Sequence, residues 1–209
     1  NLTAIGASSY IWNPSSSLNI NTTPVVSATP TTTTTYSVIG TDANNCSSTS
    51  LITINVNPLP ILNVNNISST ICEGEDVSLI VSGANTYVWS PSLGLNTSLG
   101  NSVVASPNIT TNYTITGTDN NGCFDIISSD VIVNPPPNLS LNPSSASICL
   151  GATIQIESFG ANSYIWSPGF GLNTTTSNIV YANPNSSVIY NIVGTDANLC
   201  TDSIEFQLI

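Results

Sequence analysis

The chain contains no lysine, arginine, histidine or methionine among its 209 residues. Its 11 acidic residues leave a net charge of −11, so no surface of it can neutralise the phosphates of nucleic acid or anionic lipid. The imidazole and amine groups that serve most enzymes as general bases, metal ligands or Schiff-base nucleophiles are also missing. No apolar run approaches the roughly 20 residues that span a bilayer. The composition therefore argues against a nucleic-acid-binding protein, membrane insertion and an enzyme.

The polar residues that are present are short ones. The sequence has 28 Asn, 26 Thr and 32 Ser, about 41% of the chain, beside 40% hydrophobic residues. Asn and Ser favour turns, Thr favours strands, and the hydrophobic content is sufficient for packed cores. This balance predicts an all-β protein.

An internal repeat of 77 residues is the strongest pattern in the sequence. No insertion interrupts it, and the shared residues are of the types that build cores and turns. They include Gly6, Gly83 and Gly160; Tyr10, Tyr87 and Tyr164; Trp12, Trp89 and Trp166; Tyr36, Tyr113 and Tyr190; and Cys46, Cys123 and Cys200. The repeat predicts three domains, residues 1–57, 58–134 and 135–209, here called repeats 1, 2 and 3.

Repeat 2 alternates apolar and polar residues over short segments separated by Gly, Asn and Pro, which is the pattern of β-strands. The expected strands are residues 76–83, 86–91, 102–107, 112–119 and 125–134. With one Trp per repeat, they predict an immunoglobulin-like antiparallel β-sandwich. The Pro-rich segments 56–60 and 133–137 predict stiff spacers, so the expected architecture is a linear array of domains.

Repeat 1 lacks about 22 residues that would correspond to residues 56–77. The absent part would hold a spacer, a first strand and a cysteine. A sandwich without its first strand exposes an edge and an apolar slot, which β-proteins otherwise cover. We expect either upstream continuation of the chain or a strand donated by another subunit to complete this repeat; a long array or a homopolymer would result.

The cysteines follow the same period. Cys72 and Cys149 are 77 residues apart, and each precedes the next hairpin cysteine, Cys123 or Cys200, by 51 residues. We expect disulfides Cys72–Cys123 and Cys149–Cys200, with the partner of Cys46 outside the chain. Each would stabilise its domain by about 4 kcal/mol and require an oxidising compartment. Metal binding is the alternative, although solitary cysteines without histidine make poor zinc sites.

A family resemblance rests on three segments, ICEGEDVSLIVSGANTYVWSPSLGLN (71–96), VVASPNITTNYTITGTDNNGC (103–123) and DVIVNPPP (130–137). They resemble the PKD-like and Ig-like repeats of large secreted surface proteins of Bacteroidetes, which are often gliding-motility-associated and exported by the type IX route. The resemblance covers essentially the whole chain. It implies a β-sandwich, an extracellular or cell-surface location and a spacer, adhesin or filament role. It also makes Ser203, in the triplet Asp-Ser-Ile, an O-glycosylation candidate.

Few residues qualify as a functional site. The Trp residues and the Tyr36, Tyr113 and Tyr190 set are expected in the cores, the tyrosines with their hydroxyls bonded to nearby backbone. Asp42, Asp119 and Asp196 are expected to accept backbone N–H bonds in hairpin loops. The weak calcium candidates are Glu73, Glu75, Asp76 and Asp119, since calcium takes several carboxylate oxygens; no other cofactor is expected.

Two functional hypotheses follow. The first is a structural segment of an extracellular filament or cell-surface adhesin, acting as a stiff spacer and self-association unit whose partners are neighbouring repeats. The second is a module that binds glycans or depends on calcium for ligand binding, with the aromatic residues that differ between repeats, Phe124, Phe170 and Tyr181, as the glycan contacts.

Overall fold

The computed structural model describes all 209 residues, and every regular element in it is a β-strand. No helix long and apolar enough to cross a membrane is present. The chain forms two compact units. Unit 1 comprises Asn1–Pro60 together with Asp119–Phe124, and unit 2 comprises Ile61–Thr118 together with Asp125–Ile209. The prediction of an all-β fold is confirmed.

Repeat 1 lies in unit 1 and has five strands: β1 (Leu2–Thr3), β2 (Ser9–Asn13), β3 (Val25–Val26), β4 (Thr34–Thr41) and β5 (Ser47–Ile54). The short strands β1 and β3 pair with each other, and the other three form a sheet in the order β2-β4-β5. Leu2, Trp12, Val26 and Tyr36 form the core between the two sheets. Strand β5 is therefore an edge strand.

Repeat 2 has seven strands: β6 (Asn63–Val64), β7 (Ser68–Cys72), β8 (Val77–Ser82), β9 (Thr86–Ser90), β10 (Ser102–Ala105), β11 (Thr111–Thr118) and β12 (Phe124–Asn134). They form one sheet in the order β10-β8-β6 and another in the order β7-β12-β11-β9. All pairings are antiparallel except that of β7 with β12, which is parallel. The five strands expected from the sequence of this repeat are all present, and β6 and β7 precede them.

Repeat 3 has the strands β13 (Ser140–Asn142), β14 (Ser145–Ala146), β15 (Ile154–Phe159), β16 (Ser163–Ser167), β17 (Ile179–Ala182), β18 (Val188–Thr195) and β19 (Thr201–Leu208). Its sheets, β13-β15-β17 and β14-β19-β18-β16, reproduce the strand order of repeat 2, including the parallel pairing of the second strand with the last. Two facing sheets of three and four strands with this connectivity form an immunoglobulin-like sandwich.

The repeated tryptophans lie in the cores, as predicted. Trp12, Trp89 and Trp166 are each 2% exposed. Each indole N–H donates to a backbone carbonyl eleven residues later, that of Thr23, Gly100 or Ser177. Because every apolar ring is buried and every polar atom has a partner, the tryptophans serve the cores and offer no surface for stacking on sugars.

The second set of aromatic residues is buried as well. Tyr36, Tyr113 and Tyr190 are each 0% exposed. The hydroxyls of Tyr113 and Tyr190 donate to the carbonyls of Leu93 and Phe170, both at 2.6 Å. Burial raises the pKa of both phenols above the ordinary value because the phenolate would be poorly solvated there.

The first repeat differs from the predicted pattern for this tyrosine. The Tyr36 hydroxyl bonds to the side chain of Ser17 instead of a backbone carbonyl. A hydroxyl in the adjoining loop takes the place of the carbonyl used in the other two repeats, so the buried phenol is still satisfied.

Candidate functional site

The turn between the last two strands of each repeat presents a cysteine. The carboxylate oxygen Oδ1 of Asp196 accepts the N–H groups of Asn198 and Cys200, both at 2.8 Å. Asp42 and Asp119 make the same two bonds in their own turns. The prediction that these aspartates accept backbone bonds in hairpin loops is confirmed. Their effect is to hold the cysteine at the hairpin tip in one conformation.

One of these tips is covalently joined to the neighbouring repeat. Cys200, in repeat 3, forms a disulfide with Cys72, in repeat 2, with a Cα–Cα distance of 5.5 Å and a sequence separation of 128 residues. Cys46, Cys123 and Cys149 are free thiols. The expected pairings Cys72–Cys123 and Cys149–Cys200 are therefore not those of the structure: the bond connects two repeats instead of closing a loop within one.

Strand geometry explains why the predicted pairing within repeat 2 fails. Cys72 ends β7 and lies beside Asn134, the last residue of β12. Cys123 immediately precedes Phe124, the first residue of the same strand. At about 3.3 Å per residue the two cysteines lie roughly 35 Å apart, whereas a disulfide requires Cα atoms within about 7 Å.

The same reasoning applies to repeat 3. The N–H of Ile148 donates to the carbonyl of Ile209, just beyond the end of β19, so Cys149 lies at that end of the strand. Cys200 precedes the start of β19 at Thr201. The equal spacing showed that the cysteines follow the 77-residue repeat. It could not show that the two cysteines of each expected pair lie at opposite ends of a strand.

Two of the four calcium candidates, Glu75 and Asp119, are engaged in local bonds. A Glu75 carboxylate oxygen accepts the N–H of Cys72 at 2.9 Å, and Asp119 is occupied by its own turn. Nowhere in the chain do three or more His, Cys, Asp or Glu residues form a group that could hold a metal ion. Calcium binding by Glu73, Glu75, Asp76 and Asp119 remains a prediction from the sequence.

The remaining candidates lie on the surface. Ser203 is exposed near the start of strand β19, and its N–H donates to the Asp202 carboxylate. The aromatic side chains proposed to contact glycans are also exposed, Phe124 by 56% and Phe170 and Tyr181 by 47% each.

Repeat 1 contains an open groove. It has a volume of about 600 Å³ and is lined by residues 2–7, Tyr10, Trp12, Val38, Gly40, Asp42 and residues 46–52. Both walls are strand edges: β1 on one side and β5 on the other. Sequence reasoning expected an apolar slot in this repeat but did not identify the residues that shape it.

Side-chain exposure shows which part of the core the groove opens. Ile52 is 46% exposed, whereas Phe206, at the same place in repeat 3, is 0% exposed. Val38 is half-buried, whereas its counterparts Ile115 and Ile192 are fully buried. The groove thus exposes apolar side chains that the other repeats cover.

No family model and no curated protein sequence matches the chain. Among solved structures, it is similar to the three N-terminal domains of the highly immunogenic outer capsid protein of bacteriophage RB49 (TM-score 0.36, 12% identity, 96% of this chain and 87% of that one). It is also similar to cadherin domains 1–4 of protocadherin gamma B7 (TM-score 0.35, 11% identity, 98% and 68%) and to domains 1–3 of mouse PcdhgC3 (TM-score 0.38, 9% identity, 86% and 77%). Likeness at this level adds no information about function.

Proposed function

We propose that the chain is a structural segment of an extracellular filament or cell-surface adhesin, in which tandem sandwiches act as a stiff spacer and associate with repeats of their own kind. The observation that carries the proposal is the disulfide between Cys72 and Cys200. Consecutive domains joined only by a peptide linker move relative to each other by default. A second covalent connection between the same two domains removes most of that freedom.

The linker between repeats 2 and 3 supports the same role. It contains three consecutive prolines, Pro135 to Pro137, of which the last is buried. Such a segment is extended and semi-rigid. Repeats 2 and 3 accordingly belong to one compact unit, held by a stiff peptide connection and by a disulfide that closes a long loop.

The disulfide also has consequences for stability and location. For a loop of this length, the chain-entropy model gives a stabilisation of about 5 kcal/mol, a large share of the stability of a small sandwich. The bond persists only in an oxidising environment, which supports an extracellular or cell-surface location. An extracellular filament or adhesin, in which the partners of each repeat are its neighbouring repeats, would stand in such a location.

The experiment compares the flexibility of unit 2 with and without its disulfide. We expect Cys72→Ser/Cys200→Ser to broaden the distribution of distances between spin labels placed on repeats 2 and 3, measured by pulsed electron paramagnetic resonance. Circular dichroism should show that both sandwiches stay folded. Cys149→Ser, which removes a free exposed thiol, is the matched control and should leave the distribution unchanged.

Equal distributions in the double variant and the unaltered chain would contradict the spacer proposal, because the disulfide would then add no stiffness. A broadening in the Cys149→Ser control as well would contradict it too, since stiffness would then not depend on the bond between repeats.

A second candidate function is glycan binding, which the exposed rings of Phe124, Phe170 and Tyr181 support. Exposed aromatic rings can stack on sugars. A glycan array probed with the intact chain tests this function. Signals that vanish in Phe170→Ala and Tyr181→Ala would support it, and the absence of any signal would contradict it.

A further inference from the structure

The disulfide of unit 2 determines which residues can be stretched when the chain is pulled. Cys72 and Cys200 are separated by 128 residues in the sequence, whereas their Cα atoms are 5.5 Å apart. Any tension that enters the chain before Cys72 and leaves it after Cys200 crosses this covalent bond, whatever precedes or follows the two repeats. Residues 73–199 therefore form a closed loop that the tension does not extend.

The closed loop holds most of both sandwiches. It contains strands β8 to β18. Of the residues buried in the two cores, only Val64 and Ile71 of repeat 2 and Phe206 and Leu208 of repeat 3 lie outside it. At 3.3–3.6 Å per residue, full stretching of the loop would lengthen the chain by about 420–460 Å. The bond withholds this length from a chain under tension.

In repeat 2 the tension passes along the short strands β6 and β7. Strand β7 pairs with β12 over its whole length. Just before it, the carbonyl of Asn66 accepts the Ser129 hydroxyl at 2.7 Å, and the carbonyl of Ile67 accepts the N–H of Asp130 at 2.8 Å. Because a force directed along β7 loads these bonds together, the strand resists being drawn off the sandwich.

In repeat 3 the tension passes along β19. This strand begins one residue after Cys200 and pairs with β18 along all eight of its residues. Its end also pairs with both residues of β14. Two of its side chains, Phe206 and Leu208, are buried in the core at 0% and 1% exposure. Two neighbouring strands and two core residues thus hold the strand that carries the load.

The bond itself is sheltered by the fold. Cys200 is 1% exposed and Cys72 is half-buried. The Asp196 carboxylate accepts the N–H of Cys200 at 2.8 Å, which fixes the turn that holds this cysteine. Because thiol–disulfide exchange requires access to a sulfur atom, the folded repeats protect the link on which the tension acts.

We propose that unit 2 is a load-bearing connector of fixed length. Tension passes along β7, through the Cys72–Cys200 bond and along β19, and residues 73–199 do not extend. The function of the bond is then to carry force between consecutive repeats past the bulk of both sandwiches.

The inference rests on the proposed function, because a segment of a filament or adhesin is pulled at both ends. It concerns extension under force, whereas the spacer role concerns motion between repeats 2 and 3 without force. Loss of the disulfide that lengthens the pulled chain but leaves the spin-label distances unchanged would contradict the spacer role alone. The reverse result would contradict the connector alone.

The experiment is single-molecule force spectroscopy of the intact chain, held by peptide tags fused to both ends so that no cysteine is used for attachment. It measures the contour length of the fully extended chain. We expect the oxidised chain to be about 420–460 Å shorter than Cys72→Ser/Cys200→Ser, in which the closed loop is free to extend. Cys149→Ser removes a free exposed thiol and should leave the contour length of the oxidised chain unchanged.

Reduction gives a second comparison that needs no variant. A dithiol reductant, itself oxidised to a disulfide, converts the Cys72–Cys200 bond into two thiols. The reduced, unaltered chain should reach the contour length of the double variant. Repeat 1 is an internal reference, because its Cys46 is a free thiol and its residues extend in every case.

Two buried serines test which strand carries the load in the oxidised chain. Ser129→Ala removes the hydrogen bond to the carbonyl of Asn66 beside β7 and should lower the force at which residues 61–72 leave the sandwich, a step of roughly 40 Å. Ser158 is equally buried and bonds to the carbonyl of Asn178, but both residues lie inside the closed loop. Ser158→Ala is therefore the matched control and should leave that force unchanged.

Three results would overturn the proposal. The first is an oxidised chain as long as the double variant, because the loop would then extend despite the bond. The second is a Cys149→Ser chain that is lengthened as much as the double variant. The third is an equal yield force in Ser129→Ala and Ser158→Ala, because the load would then not fall on β7.

Discussion

Replacing Trp89 by alanine tests whether the repeated tryptophans are structural. The side chain is 2% exposed and its indole N–H bonds to the Gly100 carbonyl at 2.9 Å. A buried Trp removes about 200 Å² from water, about 5 kcal/mol at about 25 cal/mol per Å². Partial collapse of the cavity reduces the loss, so Trp89→Ala should lower the free energy of unfolding by about 3–5 kcal/mol.

Urea denaturation followed by circular dichroism measures this loss. Val88→Ala is the matched control, because Val88 precedes Trp89 on strand β9 and is 50% exposed; it should cost below about 1 kcal/mol. Asp119→Asn should cost less than Trp89→Ala too, since an amide oxygen can still accept the two backbone bonds of the turn. An unchanged midpoint in Trp89→Ala, with loss of binding to a sugar, would refute the core assignment.

Two further predictions concern packing and pH. Gly117→Ala should destabilise unit 2 by about 1–3 kcal/mol through overpacking, because the added Cβ would lie 2.4 Å from Leu62 and 3.1 Å from Ala84. At Gly40 the one contact closer than 3.6 Å would be the Ala7 Cβ at 2.9 Å, so Gly40→Ala should cost less; equal losses in urea denaturation would contradict the shape of the groove. Because burial raises the pKa of Tyr113 and Tyr190 in the folded chain, the unfolded chain releases these protons first. Their contribution to stability is then fully present below about pH 10 and lost as pH rises through the folded pKa. The double variant to phenylalanine should flatten the fall in melting temperature above about pH 10, and an undiminished fall would count against this cause.

Much of the fold could be predicted from the sequence because the residue patterns that specify its strands and turns are local and occur in all three repeats. Alternation of apolar and polar residues placed the five strands of repeat 2 that follow β7, and the fixed spacing of Trp89 and Tyr113 placed the core. The aspartate turns were also predictable, since an Asp side chain bonds to backbone only a few residues away.

The disulfide could not be predicted in the same way. Spacing within one repeat suggested that Cys72 pairs with Cys123, but the length of β12 separates them, and only the placement of repeat 3 beside repeat 2 brings Cys200 to Cys72. The groove was foreseen as an apolar slot. The role of its glycines could not be predicted, because it depends on the contact of Gly117 with Leu62, two residues that are 55 positions apart in the sequence.

Disulfide mapping of the oxidised chain tests the central claim most directly. After thiols are blocked without reduction, proteolysis and mass spectrometry should recover one linked pair of peptides, containing Cys72 and Cys200, and blocked thiols at Cys46, Cys123 and Cys149. That result would show that the covalent bond joins consecutive repeats. Linked peptides containing Cys72 with Cys123, and Cys149 with Cys200, would contradict the account, because each disulfide would then lie within one repeat and nothing covalent but the linker would hold the repeats together.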